Sequence, residues 1–198
     1  MDGLPAAGRR TLKPFAARGQ GARCFNMSDI NIILAGFMGT GKTTVGRILA
    51  IRLKKTFIDM DGIIEERAGK AISRIFAEEG EPYFRQLERN LVKELSGGRN
   101  QVIAAGGGVV LNPDNINDFS RAGRVICLMA SETEIMRRVS ASSDRPLLEN
   151  GDKLGRIKKL LEQRRHLYES IRDRVNTTGL RPQEVAEVIM LMLKEEGG

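Results

Sequence analysis

Tryptophan is absent from the 198-residue chain, histidine occurs once, and cysteine and tyrosine twice each. Each scarcity excludes a class of function. Cys24 and Cys127 lie far apart, so they suggest no disulfide framework, and with the lone His166 they make no thiolate or imidazole metal cluster. Such sparing use of cysteine points to a reducing compartment, the cytoplasm. Cys127, inside the apolar run Val125-Ile126-Cys127-Leu128, is expected to be a small core residue. No apolar run approaches the roughly 20 residues of a membrane span. The C-terminal pattern from Val185 to Leu193 is too short and too amphipathic to be one, so no membrane partner is expected. Aromatic residues make up only 5% of the chain, and no basic patch is interleaved with them. The net charge is +7, but residues 1–26 alone contribute about +4, through Arg9, Arg10, Lys13, Arg18 and Arg23 against Asp2. The mildly basic remainder suits a small anionic ligand better than nucleic acid, which is not expected as a partner.

What is present divides into a basic N-terminal stretch and one body. Residues 1–26 are rich in Gly, Ala and Arg without sustained period, and are expected to be a disordered extension. A start site placed upstream of Met27, a targeting segment and a genuine basic arm all account for it. Residues 27–198 are long enough for one α/β domain with a substantial core. That body is arranged around Gly36-Phe37-Met38-Gly39-Thr40-Gly41-Lys42-Thr43-Thr44, which satisfies G-x-x-x-x-G-K-[ST]. The run Ile32 to Ala35 reads as the strand before it, and Val45, Ile48, Leu49 and Leu53 as a helix after it. Glycines allow successive N–H groups to converge on a phosphate, and the helix N-terminus adds positive partial charge. Gly39, Thr40, Gly41 and Thr44 supply backbone to such a cradle. Lys42 would reach the outer phosphates, and Thr43 would offer a hydroxyl to Mg²⁺.

Further along, Thr56-Phe57-Ile58-Asp59 reads as a second strand ending in Asp59-Met60-Asp61. Carboxylates at the carboxyl end of a strand fall beside the phosphate loop in a doubly wound sheet. Asp59 is placed for the Mg²⁺ shell. Asp61 either orients or deprotonates an acceptor hydroxyl, or caps a helix over Gly62 to Ala68. A strong helix carries Phe84, Leu87, Leu91, Val92 and Leu95 on one face. Beside that face Arg85 and Glu88, three residues apart, form either a solvated pair or a carboxylate-steadied arginine for a substrate acid. Val102 to Ala105 is a third strand running into Gly106-Gly107-Gly108, which marks either a close backbone approach to a ligand or a tight bend. Arg124 to Met129 and Arg174 to Asn176 read as the fourth and fifth strands. Between them, small residues from Ser140 to Asp144 precede Arg145-Pro146-Leu147-Leu148, the composition either of a mobile lid carrying Arg145 or of an ordinary surface loop. Lys153 to Ile171 reads as a long basic helix. His166 within it is expected to be structural, because phosphoryl transfer leaves a protein little covalent chemistry.

Taken together, these blocks resemble the shikimate kinase family from about Ile30 to the end of the chain. The resemblance rests on Gly36 to Thr44, on Phe57-Ile58-Asp59-Met60-Asp61, on Phe84-Arg85-Gln86-Leu87-Glu88, on Gly106 to Gly108, on Arg145 to Leu148, and on Arg164 with Leu167-Tyr168. It implies the nucleoside-monophosphate-kinase type of P-loop fold: a five-stranded parallel sheet in the order 2-3-1-4-5, flanked by helices, with a mobile lid. It also implies ATP-dependent phosphorylation of the shikimate 3-hydroxyl, a step toward chorismate and the aromatic amino acids, with one Mg²⁺ ion, ATP as co-substrate, and a monomer. Carried over by residue, the resemblance makes Lys42, Asp61 and Arg145 catalytic. Asp61 would face the shikimate hydroxyls, while Arg85 and Arg164 hold the substrate carboxylate and Glu88 steadies Arg85. Gly106, Gly107 and Gly108 offer backbone donors to the substrate, Thr43 and Asp59 hold the metal, and Arg138 packs against adenine. The family's usual Pro two residues before the Tyr is His166 here, and the loop after Asn176 matches loosely, leaving Leu180 and Arg181 as alternative adenine contacts. Two other functions compete: a kinase for another hydroxy acid such as gluconate, and a catalytically silent nucleotide-binding protein.

Overall fold

The computed structural model describes residues 30–140 and 153–195, apart from the side chains of residues 153 and 154. The N-terminal extension expected over residues 1–26 and the expected lid with Arg145 lie outside the described residues. Five parallel strands form one sheet in the order β2-β3-β1-β4-β5, as expected. The strands are β1 (Asn31–Gly36), β2 (Thr56–Asp59), β3 (Gln101–Ala104), β4 (Gly123–Met129) and β5 (Asp173–Asn176).

Alternation along the central strand creates two cores. Ile33 and Ala35 of β1 join Ile103, Val125 and Cys127 on one face, while Ile32 and Leu34 join Val102, Ile126 and Leu128 on the other. A strand buried on both faces reads as a continuous apolar run, which is why β1 and β4 were legible as strands. Helices α1 (Lys42–Leu53) and α8 (Pro182–Glu195) cover the second face. The first is covered by α2 (Met60–Ala68), α3 (Ile72–Glu78), α4 (Gly80–Ser96), α5 (Pro113–Ala122), α6 (Glu132–Ser140) and α7 (Lys153–Glu169). In register, Ile33 stands between Ile103 of β3 and Val125 of β4. The carboxyl ends of β1, β2 and β3 are thus neighbours, and the loops leaving them meet at one edge.

Beyond one-residue shifts at strand ends, three features depart from the expectations. α2 starts at Met60, directly after β2, so Asp61 lies in the first helical turn and the capping position belongs to Asp59. A short 3₁₀ turn, Val109–Leu111, follows the glycines; three residues are too few to leave a periodic signal. α7 ends at Glu169 rather than Ile171. His166 lies within that helix and is exposed, and its carbonyl accepts from the Ser170 N–H at 3.0 Å. A helical backbone thus continues where the family usually has Pro. Among the described residues no helix is long and apolar enough to cross a membrane.

Candidate active site

The phosphate loop leaves the buried β1 and turns into α1. Gly36 takes φ 136°, and a Cβ there would run into the carbonyl oxygen of Leu128; only glycine meets both demands. The loop ties itself together inward. Thr40 is buried, and its hydroxyl donates to the Phe37 carbonyl at 2.8 Å. Lys42 Nζ donates to the carbonyl oxygens of Gly36 and Phe37, both at 2.9 Å. The ammonium is thereby held over the loop, where the phosphates of a nucleotide would lie.

Asp59 occupies the N-cap position of α2 but makes no capping bond with its side chain, although Asp is a favoured cap. Its Oδ2 instead accepts from Thr43 Oγ1 at 2.9 Å. A hydroxyl and a carboxylate on facing elements offer only oxygen donors, the set that a hard divalent cation prefers. Among the described residues no three His, Cys, Asp or Glu side chains gather as a metal centre. Thr43 and Asp59 therefore fit a cation whose remaining ligands come from phosphate and water.

A cleft of about 510 Å³ opens above these groups, lined by residues 38–45, Asp59, Asp61 and Gly107 and, at its far end, by Arg138, Thr177, Leu180 and Arg181. That volume falls within the roughly 300–1,000 Å³ of small-molecule sites. Ten of the expected site residues thus line one cleft: Gly39, Thr40, Gly41, Lys42, Thr43, Thr44, Asp59, Asp61, Gly107 and Arg138. Arg85, Gly106, Gly108 and Arg164 do not line it. They form a second group joined to it through the glycine turn.

The glycine turn connects them through lack of space. A Cβ on Gly106 would meet Glu88 Oε1 at 2.8 Å and Asp61 Oδ1 at 2.9 Å, and one on Gly108 would overlap the Arg85 guanidinium. Side chains press closely on this turn, and two of them are carboxylates. Arg85 donates through Nη1 to Glu88 Oε2 at 2.9 Å and through Nη2 to Glu81 Oε1 at 2.8 Å. The Arg85–Glu88 pair is no solvated surface pair, since the Glu88 side chain keeps only 2% of its exposure and that of Arg85 24%. Burial pushes the Glu88 carboxyl above its ordinary range, opposed by Arg85, reinforced by Asp61 and opposed again by Arg164. Among the described residues Glu88 Oε1 has no hydrogen-bond partner. Arg164 acts electrostatically on both Glu88 and the Tyr168 phenol, so both arginines stand near the same turn.

At the other end, Arg138 is fixed from several sides. It donates to Glu134 Oε1 at 2.7 Å, to the Thr177 carbonyl at 2.7 Å and to Thr177 Oγ1 at 3.0 Å. Glu134 is held down to about 2, chiefly by the hydrogen bond from Arg137, with Arg138 assisting. Leu180 and Arg181 both line the cleft, so the fold brings both alternatives to this end. Sequence reasoning missed Thr177 and Glu134, and named Tyr168 within the resemblance without giving it a role. Glu134 stands four residues before Arg138, a spacing that could have been read as a helical pair. Tyr168 stands four residues after Arg164 in the same way, whereas Thr177 carries no such signal.

Tyr168 is 1% exposed. Burial pushes its phenol up to about 12 from an ordinary 10.0, with Arg164 opposing. Unfolded, the phenol ionises near 10, while the native state keeps its proton until about 12. Native stability from this group is therefore lost as pH rises between those values. Spectrophotometric titration should show the Tyr168 phenolate appearing only around pH 12; its appearance near 10 would contradict this burial.

The comparisons with known proteins agree with this geometry. The family model "Shikimate kinase" matches residues 38–194. A shikimate kinase of Pelotomaculum thermopropionicum is 46% identical over 165 residues, covering 83% of this chain and 96% of that protein. The solved shikimate kinase of Acinetobacter baumannii in complex with shikimate is 33% identical and superposes with a TM-score of 0.80, covering 84% of this chain and 94% of that one. A gluconokinase structure from Sinorhizobium meliloti is similar at 17% identity and a TM-score of 0.55, a likeness of fold alone. With phosphate loop, parallel sheet and nearly the whole described chain accounted for by one family, the protein belongs to the shikimate kinases.

Proposed function

We propose that the protein transfers the γ-phosphoryl group of ATP to the 3-hydroxyl of shikimate, giving shikimate 3-phosphate and ADP. The observation that carries this reading is the Gly106–Gly108 turn, hemmed in by the Asp61 and Glu88 carboxylates on one side and the Arg85 guanidinium on the other. A small hydroxy acid needs an arginine for its carboxylate and a carboxylate for its hydroxyls, and only such a site places both next to a phosphate loop.

Phosphoryl transfer asks chiefly for positioning and charge stabilisation. The loop from Gly39 to Thr44 cradles the nucleotide phosphates with backbone N–H groups, and Lys42 stabilises charge on the transferring group. Thr43 and Asp59 hold one Mg²⁺, which neutralises phosphate charge when bound. Asp61, at the N-terminal turn of α2, accepts the proton of the attacking hydroxyl or orients it. Arg85, steadied by Glu88, and Arg164 bind the substrate carboxylate, and Gly106, Gly107 and Gly108 offer backbone donors to the substrate. Arg138 borders adenine. Arg145, outside the described residues, is assigned to the phosphoryl group from sequence alone. The resemblance implies a monomer acting on two small molecules, and the sparing use of cysteine supports the cytoplasm.

A coupled ADP-release assay with MgATP tests the reading. Release is expected with shikimate and not with gluconate, AMP or no acceptor, and chelation of Mg²⁺ should abolish it. Equal release with gluconate would favour a different hydroxy acid. ATP binding without turnover on any acceptor would favour a silent nucleotide binder.

A further inference from the structure

Tyr168 belongs neither to the phosphate loop nor to the carboxylate-binding arginines, yet it touches both neighbourhoods. It is among the largest fully buried side chains of the protein, and a phenol sealed from water must find a partner for its hydroxyl. That partner is the main chain of the glycine turn: Tyr168 Oη donates to the Gly107 carbonyl at 2.6 Å, across 61 residues of sequence. The Arg164 guanidinium, one helical turn earlier on α7, stands near the same hydroxyl and opposes its upward shift. A guanidinium can only donate and a hydroxyl can do both. With its proton given to the Gly107 carbonyl, the Tyr168 oxygen is left to accept from Arg164. The ring itself stands edge-on to Phe37 of the phosphate loop, with centroids 6.3 Å apart and planes at 83°.

The consequence lies in the peptide plane. In a trans peptide the C=O and the following N–H point in opposite directions. Fixing the Gly107 carbonyl toward Tyr168 therefore aims the Gly108 N–H the other way, in a turn whose glycines have no side chains to hold them. Gly107 in turn lies close against the phosphate loop, where a Cβ would approach Met38 N at 3.6 Å and Gly36 O at 3.8 Å. One hydroxyl thus sets the attitude of the turn and of Arg164 together.

We propose that Tyr168 is a positioning residue for the acceptor substrate: its hydroxyl joins Arg164 to the Gly107 carbonyl, so that the carboxylate-binding arginine and the backbone donors of the glycine turn are presented to shikimate as one unit. This inference rests on the shikimate kinase reading of the cleft. Tyr168 touches neither substrate nor nucleotide in this assignment, and it acts through Arg164 and Gly107.

Tyr168→Phe removes the hydroxyl and keeps the ring against Phe37. The loss of one buried hydrogen-bond link is expected to raise the KM for shikimate about tenfold, with the KM for ATP unchanged. A double-mutant cycle with Arg164→Lys should give losses in shikimate kcat/KM well short of additive, because either change breaks the same chain. Wild-type enzyme is assayed first. Wild-type failure to turn over shikimate would sink the functional reading, whereas normal wild-type turnover with an unaltered Tyr168→Phe would sink only this inference. Equal losses toward ATP and shikimate, strict additivity in the cycle, or failure of Tyr168→Phe to fold would each overturn it too, since each assigns the hydroxyl to general stability.

Discussion

Asp61→Asn is expected to lower kcat for shikimate phosphorylation by about 10²- to 10⁴-fold, the range set by losing a general base, while leaving ATP affinity near the parental value. The substitution keeps the size of the side chain and removes its negative charge and its capacity to take a proton. Asp61 Oδ1 lies beside Gly106, on the acceptor side of the cleft, whereas the nucleotide cradle is built by the loop preceding α1. Single-turnover kinetics alongside nucleotide binding would separate the two effects. Near-normal turnover in Asp61→Asn would remove the proposed role, and weakened ATP binding would move Asp61 to the metal shell with Asp59.

Arg85→Ala should raise the KM for shikimate by about 10²-fold, since a charged hydrogen-bonded contact to the substrate acid is lost. It should also destabilise the fold, because it leaves the buried Glu88 without its ion-pair partner, which ordinarily costs about 3–5 kcal/mol. Proton uptake limits that cost. Burial already pushes the Glu88 carboxyl above its ordinary 4.5, and Arg85 is the largest influence opposing the shift. Without Arg85 the folded carboxyl holds its proton still more tightly than the unfolded one does, so stability falls as pH rises above the ordinary value. Thermal unfolding should therefore show Arg85→Ala closer to wild type in mildly acid than in mildly alkaline buffer. A pH-independent deficit would mean that Glu88 stays ionised.

These two residues also show where sequence reading succeeds and where it stops. The phosphate loop was legible because its function is written in local spacing: strand, glycines, Lys42 and Thr43, helix. The Arg85 and Glu88 spacing was equally plain, but three residues apart on a helix describes a solvated pair as well as a buried one. Only the packing of α4 under the glycine turn decides it. The start of α2 was misread for a physical reason. Asp is a good cap and Gly62 a poor helix former, so local preference favoured a helix beginning after Asp61. In the fold the Asp59 carboxylate bonds Thr43, and the helix begins at Met60. Contacts that join distant segments were invisible. The bonds of Arg138 to Thr177 span 39 residues and that of Tyr168 to Gly107 spans 61, and neither leaves a local pattern.

The direct passage from β2 into α2, with Asp59 closing the strand and Met60 opening the helix, bears on how this chain tolerates change in length. A flexible connection would absorb an added residue. Here none lies between Asp59 and Asp61, the carboxylates proposed to face the metal and the acceptor, so a single insertion would turn Asp61 by about 100° around the helix axis and shift it about 1.5 Å along it. The distance between the two chemical duties is thus set by backbone geometry rather than by side-chain choice. An added residue at this junction would therefore separate the two carboxylates in direction as well as in distance.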